Sequence, residues 1–300
     1  VNLNAILLIF ASGFFHANWN YLAKRSNDKL SFLWGAKVVS LFLLSPIFVY
    51  YLTSYPGRPP IHNYSMLFIF GMGSGIIHVL YFYFLSMAYR YGDISFSYPI
   101  ARGTAPFLVA LFSFFFLGEL PSASGLLGMI LIAIGIGLLV KSGSDESSEG
   151  EPGEDGNASV LTNKRALIFA ILTSVMIALY IFLDGKGSRV FSPIIFMYVY
   201  SVFSTLFFTI PIVKRSEILF EEIRENSKPM IATGILEPLS YFLALQAMQF
   251  SQLGYVASLR NISIVFATLL GVVMLKESLT WARMIGSAVI FLGVLSLSFG

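Results

Sequence analysis

FFFLGELPSASGLLGMILIAIGIGLL, Phe114–Leu139, closes a stretch beginning at Arg102 that occurs twice in this 300-residue chain. Displaced by 158 positions (102 to 260) without a gap, Arg102 falls on Arg260, Leu117 on Leu275 and Glu119 on Glu277. Gly128 then falls on Gly286, Gly135 on Gly293, and Ser122 on the similar Thr280. Two apolar segments always match somewhat, but an Arg and a Glu kept at one spacing do not follow from composition. A repeat of this length means that one half was duplicated. In an apolar chain, a duplicated half points towards a transporter.

The chain is that apolar. It is 56% hydrophobic and 12% charged, with a mean hydropathy of +0.78, against about 25% charged residues in a soluble domain. The reading is an integral membrane protein whose main partner is the lipid bilayer. The 29 Phe and 15 Tyr suit lipid contact and interfacial belts. The lack of cysteine excludes disulfides and thiolate metal sites. The net charge of +3 is spread over loops and makes no case for nucleic acid. The first apolar segment lacks a basic leader and a small-residue cleavage site, so it reads as a retained helix.

A spanning helix needs about 20 mostly apolar residues. Ten such runs are expected: Leu3–Ala23, Leu30–Thr53, Tyr64–Ala88, Ile94–Leu117, Ser122–Val140, Arg165–Leu183, Ser192–Val213, Pro229–Phe250, Tyr255–Leu275 and Thr280–Phe299. Short turn-like breaks separate most of them, so neighbours form antiparallel hairpins. Residues 142–163, rich in Ser, Gly, Asp and Glu, read as an acidic flexible linker. It divides a first five-helix repeat, 1–141, from a second, 164–300. After five crossings the chain emerges on the opposite face, so the second half starts upside down. The predicted fold is therefore an all-α membrane protein, ten transmembrane helices as two inverted five-helix repeats. The loops after helices 1, 3, 5, 7 and 9 carry thirteen Lys and Arg, from Lys24 to Arg283, and the other face carries Arg58, Lys186 and Arg189. That bias assigns the first set to the cytoplasm.

The helix-ending LGEL of Leu117–Leu120 and LKESLT of Leu275–Thr280 each precede a Gly-containing last helix. Together with HANWNYLAK at His16–Lys24 and LDGKGSR at Leu183–Arg189, they resemble the drug/metabolite transporter superfamily, specifically EamA-type proteins with two tandem domains. The resemblance spans the whole chain. It implies a secondary carrier of small organic metabolites, often an exporter, that hydrolyses no ATP, in a bacterial-type inner (plasma) membrane. One departure is Lys276, where the first copy has Gly118.

Ionisable residues within a span are costly and suggest function by default. His16, Trp19 and Asn20 share one face of helix 1 and make a solute-facing patch; the alternative is that Asn20 only bonds between helices. Tyr180 and Asp184 occupy the corresponding face of helix 6, and Tyr241 joins the substrate-binding set. Arg102 and Arg260 stand several residues inside their helices. They either meet an anionic group of the solute or snorkel to the interface. The two copies should form two polar layers, with His16, Asn20 and Arg102 in one half of the membrane and Tyr180, Asp184 and Arg260 in the other. His78 and Glu237, near mid-span and near-equivalent in the repeat, form the expected proton-coupling layer; the alternative is that each makes structural hydrogen bonds. Lys37 lies nearer a helix end. Glu119 and Glu277 read as carboxylates at the N-terminal dipole of the following helix, beside the N-caps Ser122 and Thr280.

Gly71 and Gly75, and the seven-residue pairs Gly128–Gly135 and Gly286–Gly293, mark close helix packing, within the chain or in a homodimer. Pro99 and Pro106 bracket Arg102 and could open carbonyls to a cavity. No Walker sequence, GxSxG, HExxH or ligand-spaced His set is present, so no enzyme, metal or cofactor is expected. Two other readings remain: an intramembrane enzyme on a lipid-linked substrate, and a non-transporting scaffold or receptor whose acidic linker binds a partner.

Overall fold

The computed structural model describes residues 3–54, 63–112, 122–148, 154–250, 260–277 and 280–298. They form ten α-helices: α1 Leu3–Arg25, α2 Lys29–Ser54, α3 Tyr64–Tyr91, α4 Ile94–Phe112, α5 Ala123–Ser148, α6 Glu154–Val190, α7 Pro193–Ile212, α8 Ser216–Phe250, α9 Ser263–Leu275 and α10 Trp281–Ser298. Five segments, Lys29–Ser54, Tyr64–Tyr91, Ala123–Lys141, Asn163–Asp184 and Pro193–Val213, are long and apolar enough to cross a membrane. This is a multi-pass membrane protein. Shorter apolar helices lie at Ser263–Leu275 and Trp281–Ser296.

Helices reach further than the apolar runs. α5 continues to Ser148 and α6 begins at Glu154, so helix enters the expected linker from both sides; residues 149–153 lie outside the described set. Extending a formed helix adds one hydrogen bond per residue fixed and needs no apolar face. The run Lys214–Lys228, expected as a loop, is also largely helical. It holds a 3₁₀ turn, Val213–Arg215, and the polar start of α8. α8 is broken at Asn226 (φ −120°, ψ 22°). The break precedes Pro229, which has no N–H to give the preceding turn and suits the first turn of a restarted helix.

The packing exchanges the two halves. α1 lies on α8 as α6 lies on α3; α2 lies on α8 as α7 lies on α3; α1 lies on α9 as α6 lies on α4. α2 meets its own counterpart α7, α4 meets α9, and α5 meets α10. The α5–α10 seam is set by the repeated glycines. A Cβ on Gly286 would stand 3.0 Å from the Gly135 carbonyl oxygen, and one on Gly293 would stand 2.8 Å from that of Gly128. Both glycine pairs thus face each other inside the chain.

Polar ties show which helix ends lie together. Lys24 Nζ donates to the carbonyls of Tyr89 (2.9 Å) and Gly92 (2.6 Å), joining the ends of α1 and α3. Arg215 forks onto Asp28 (3.0 and 3.1 Å), joining the end of α7 to the start of α2. Glu277 accepts from the amides of Ile94 (2.8 Å) and Ser95 (2.9 Å). This corrects the expectation for that residue: it caps α4, in the other half, instead of the helix that follows it. Glu119, its counterpart, lies outside the described residues. Ser122 and Thr280 do accept from Gly125 N (3.0 Å) and Arg283 N (3.3 Å) as N-caps. Lys276 takes φ 56°, ψ 34°, a left-handed conformation that favours glycine, the residue of the first copy at Gly118. At the opposite end of the bundle, Ser296 Oγ donates to the Ser124 carbonyl (2.8 Å), joining the end of α10 to the start of α5.

Candidate functional site

The helices bring two polar clusters to a common cavity. The first is built on α1. Its 3.6-residue period puts His16 and Trp19 on one face, where the indole Nε1 lies 3.2 Å from His16 Nδ1. Arg102, from α4, donates to His16 Nε2. Arg260, three residues before α9, places a guanidinium nitrogen 3.4 Å from His16 Nδ1, and Ser240 Oγ of α8 lies 3.4 Å from the same atom. Ser12 and Ser240 exchange hydrogen bonds between hydroxyl and carbonyl (2.7 and 3.0 Å), locking α1 to α8 at this level.

The expected separation of the two arginines into different layers is corrected here: they flank one imidazole. Arg102 and Arg260 hold the same place in the two copies and converge on this one ring. Asn20 is buried behind the ring. Its amide donates to the His16 carbonyl within α1 (2.7 Å), and its oxygen accepts from Tyr89 of α3 (2.6 Å), the one bond of the two that joins helices.

The second cluster is built on α3. His78 lies between the rings of Tyr180 (4.7 Å, 26°) and Tyr200 (4.6 Å, 22°). Its Nδ1 donates to the Ser74 carbonyl (2.9 Å), which leaves Nε2 facing Asp184 Oδ2 at 3.6 Å. Asp184 accepts from Ser74 Oγ (2.6 Å) and from the Tyr241 hydroxyl (2.7 Å). Lys37 Nζ pairs with Glu237 Oε1 at 3.0 Å and sits over the faces of Phe82 (5.0 Å) and Tyr200 (5.4 Å), where the ring quadrupoles attract a cation. His78 and Glu237 are therefore not partners: the carboxylate at His78 is Asp184, and Glu237 belongs to Lys37.

The cavity between the clusters is narrow, about 20 Å³ of space. Tyr81, Phe82, Tyr180 and Tyr241 supply aromatic walls; His16, Trp19, Arg260, His78 and Glu237 supply the polar ones. Of the residues singled out from sequence, Arg102 and Asn20 stand behind this lining. Tyr241 bridges the clusters, its hydroxyl on Asp184 and its ring 5.7 Å from the Arg260 guanidinium. Sequence reasoning underweighted Lys37 and Asp184 and did not single out Ser74 or Tyr200. For Lys37 the signal existed, a lone cation seven residues into an apolar run. Among the described residues, no group of three or more His, Asp or Glu is spaced to hold a metal ion.

The family model for EamA-like transporters matches residues 3–141 and 164–299, once in each half. No curated protein matches the chain. A solved crystal structure, described only as that of a protein, is similar with a TM-score of 0.58 and 18% identity, covering 100% of this chain and 98% of that one. At that identity the likeness concerns the fold alone.

Proposed function

The chain belongs to the EamA-like transporter family, and from that premise we propose that it is a secondary exporter of a small organic metabolite, its pathway running between two inverted five-helix halves. One observation carries the reading. The cavity where the halves meet is walled by buried polar side chains from both, His16, Trp19 and His78 from the first, Glu237, Tyr241 and Arg260 from the second. Buried ionisable groups inside a membrane bundle are expensive and mark solute or ion pathways.

The helix ends support the inversion. α2 starts and its counterpart α7 stops at the Asp28–Arg215 contact, and α4 starts and α9 stops at Glu277. On this reading all ten helices cross, and the arginines meet at mid-membrane, where access alternates. The coupling layer holds Asp184 beside His78, with Glu237 across the cavity on Lys37. In proteoliposomes loaded singly with members of a metabolite panel, at least one solute should leave faster than from protein-free vesicles, and an imposed pH gradient should change its rate. Asp184→Asn should abolish the gradient effect. Absence of protein-dependent flux for every solute in both directions would overturn the carrier reading.

A further inference from the structure

The groups around His16 have an excess of donors. A neutral imidazole has one acceptor nitrogen, yet Arg102 points a guanidinium at Nε2 while Trp19 Nε1 and Arg260 point at Nδ1. The charge-assisted bond from Arg102 is the stronger claim on the acceptor, so Nε2 accepts and Nδ1 carries the hydrogen. Nδ1–H, the Trp19 N–H and the Arg260 guanidinium then converge with, among the described residues, only the Ser240 hydroxyl to receive them. Ser240 in turn gives its own proton to the Ser12 carbonyl.

The same region has an excess of positive charge. Arg102 and Arg260 are 6% and 8% exposed. Among the described residues neither forms an ion pair, and the Nε of each has no hydrogen-bond partner. Asp184 stands beyond the Tyr241 ring with Ser74 and Tyr241 already bonded to it, and Glu237 is balanced by Lys37. A buried cation without a counter-charge is strongly disfavoured, so the cluster is complete only with an anion that the described residues do not supply. Arg260, His16 and Trp19 all line the cavity, and it is there that the anion fits.

We propose that the transported solute carries an anionic head, a carboxylate or phosphate-type group, seated against Arg260, the Trp19 indole N–H and His16 Nδ1. Arg102 is a positioning residue: it fixes the tautomer of His16 from behind. Tyr81, Phe82, Tyr180 and Tyr241 line the narrow space beside that head, so the body they face is apolar or aromatic and enters only as the helices part. This rests on the carrier reading above and names the chemistry of its solute.

The test uses the purified full chain in lipid nanodiscs with four probes of one shape: benzoate, phenylphosphonate, benzylamine and benzyl alcohol. Calorimetric titration and the melting temperature are read together. Benzoate, phenylphosphonate or both should bind saturably and raise the melting temperature, the stronger of the two identifying the head group; the amine and the alcohol should do neither. Arg260→Gln should weaken the bound anion by about tenfold or more, the loss of a charge-assisted hydrogen bond, and should raise the melting temperature of the ligand-free protein. A purely structural arginine would lower it. Trp19→Phe removes the donor together with part of a buried ring and should weaken the anion. Arg102→Gln should weaken it and Arg102→Lys should restore most of the loss.

Failure of both anions to bind, tighter binding of benzylamine, or unchanged anion affinity in both Arg260→Gln and Trp19→Phe overturns the proposal. Counterflow in proteoliposomes keeps the two readings apart. Anion binding without any flux removes the carrier and keeps the site; flux of neutral or cationic solutes without anion binding removes the site and keeps the carrier.

Discussion

His16 and His78 line one cavity and are met by opposite chemistry. His16 faces two guanidiniums and an indole N–H. His78 is held between two phenol rings, donates to a backbone carbonyl and faces a carboxylate that has its own hydroxyl donors. Every charge near His78 has a partner, Asp184 with Ser74 and Tyr241, Lys37 with Glu237. Among the described residues, the arginines near His16 have no counter-charge. The lesson is that burial alone does not identify a binding group; a buried charge left uncompensated does, because folding gains nothing from it.

The largest expected effect tests that difference by its sign. Lys37→Met strands the Glu237 carboxylate at a site where Lys37 is 2% and Glu237 13% exposed. Breaking a buried pair in this way should cost about 3–5 kcal/mol, and adding Glu237→Leu should recover most of it. Arg260→Met removes a charge that has no counter-charge and should leave the ligand-free protein as stable or more so. Thermal unfolding of the variants in one detergent decides it. If Arg260→Met were as destabilising as Lys37→Met, the two clusters would be alike and the comparison would fail.

Much of this architecture was legible in the residues. The duplicated Arg and Glu, set by the spacing of Arg102 with Arg260 and Glu119 with Glu277, announced two halves, and the apolar runs placed the helices. The helical period put His16 beside Trp19. What spacing within one helix could not carry was the partner from another. Glu277 is near its own next helix in sequence, yet it caps α4 because the exchange of halves brings the start of α4 to the end of α9. Asp184 was set near a helix end because the apolar run stops at Leu183, whereas α6 continues to Val190 and leaves Asp184 a turn and a half inside. Arg102 and Arg260 were placed in separate layers by depth along their helices. Depth along each helix does not say where the two side chains meet.

A smaller effect sharpens the comparison at the residue that belongs to both clusters. Tyr241→Phe keeps the ring beside Arg260 and deletes the hydroxyl that bonds Asp184. Stability should fall by about 1–3 kcal/mol, the cost of leaving a buried acceptor short of a donor. The response of transport to a pH gradient should weaken, while benzoate affinity stays within about threefold, as for a change that touches no charge-assisted bond to the head group. Loss of benzoate binding in Tyr241→Phe would mean that the clusters act as one site.

The smallest expected effect comes from charges outside the membrane, and it sets the scale against which the buried ones are judged. Asp28 and Glu222 are neighbours, the Asp28 amide donating to Glu222 Oε2 at 2.7 Å, yet their carboxyls are perturbed in opposite directions. Burial would raise Asp28, but hydrogen bonding by Ser31 and the charge of Arg215 outweigh it and hold the group below its ordinary value. Burial dominates at Glu222 and raises it. A depressed carboxyl favours the fold above its unfolded value of about 3.9, and that contribution is lost as pH falls through the lower, folded value. A raised carboxyl does the reverse, its contribution being present at acid pH and lost as pH rises through the folded value. The Arg215–Asp28 fork is partly exposed, 28% and 23% for the two side chains, so Arg215→Gln should cost no more than about 1 kcal/mol at pH 7. Because that cost requires an ionised Asp28, it should shrink as unfolding is followed below about pH 4, and Asp28→Asn should remove the pH dependence of the difference. An Arg215→Gln penalty that is the same at pH 7 and in acid would show that packing of the arginine stem, not its charge, joins α7 to α2.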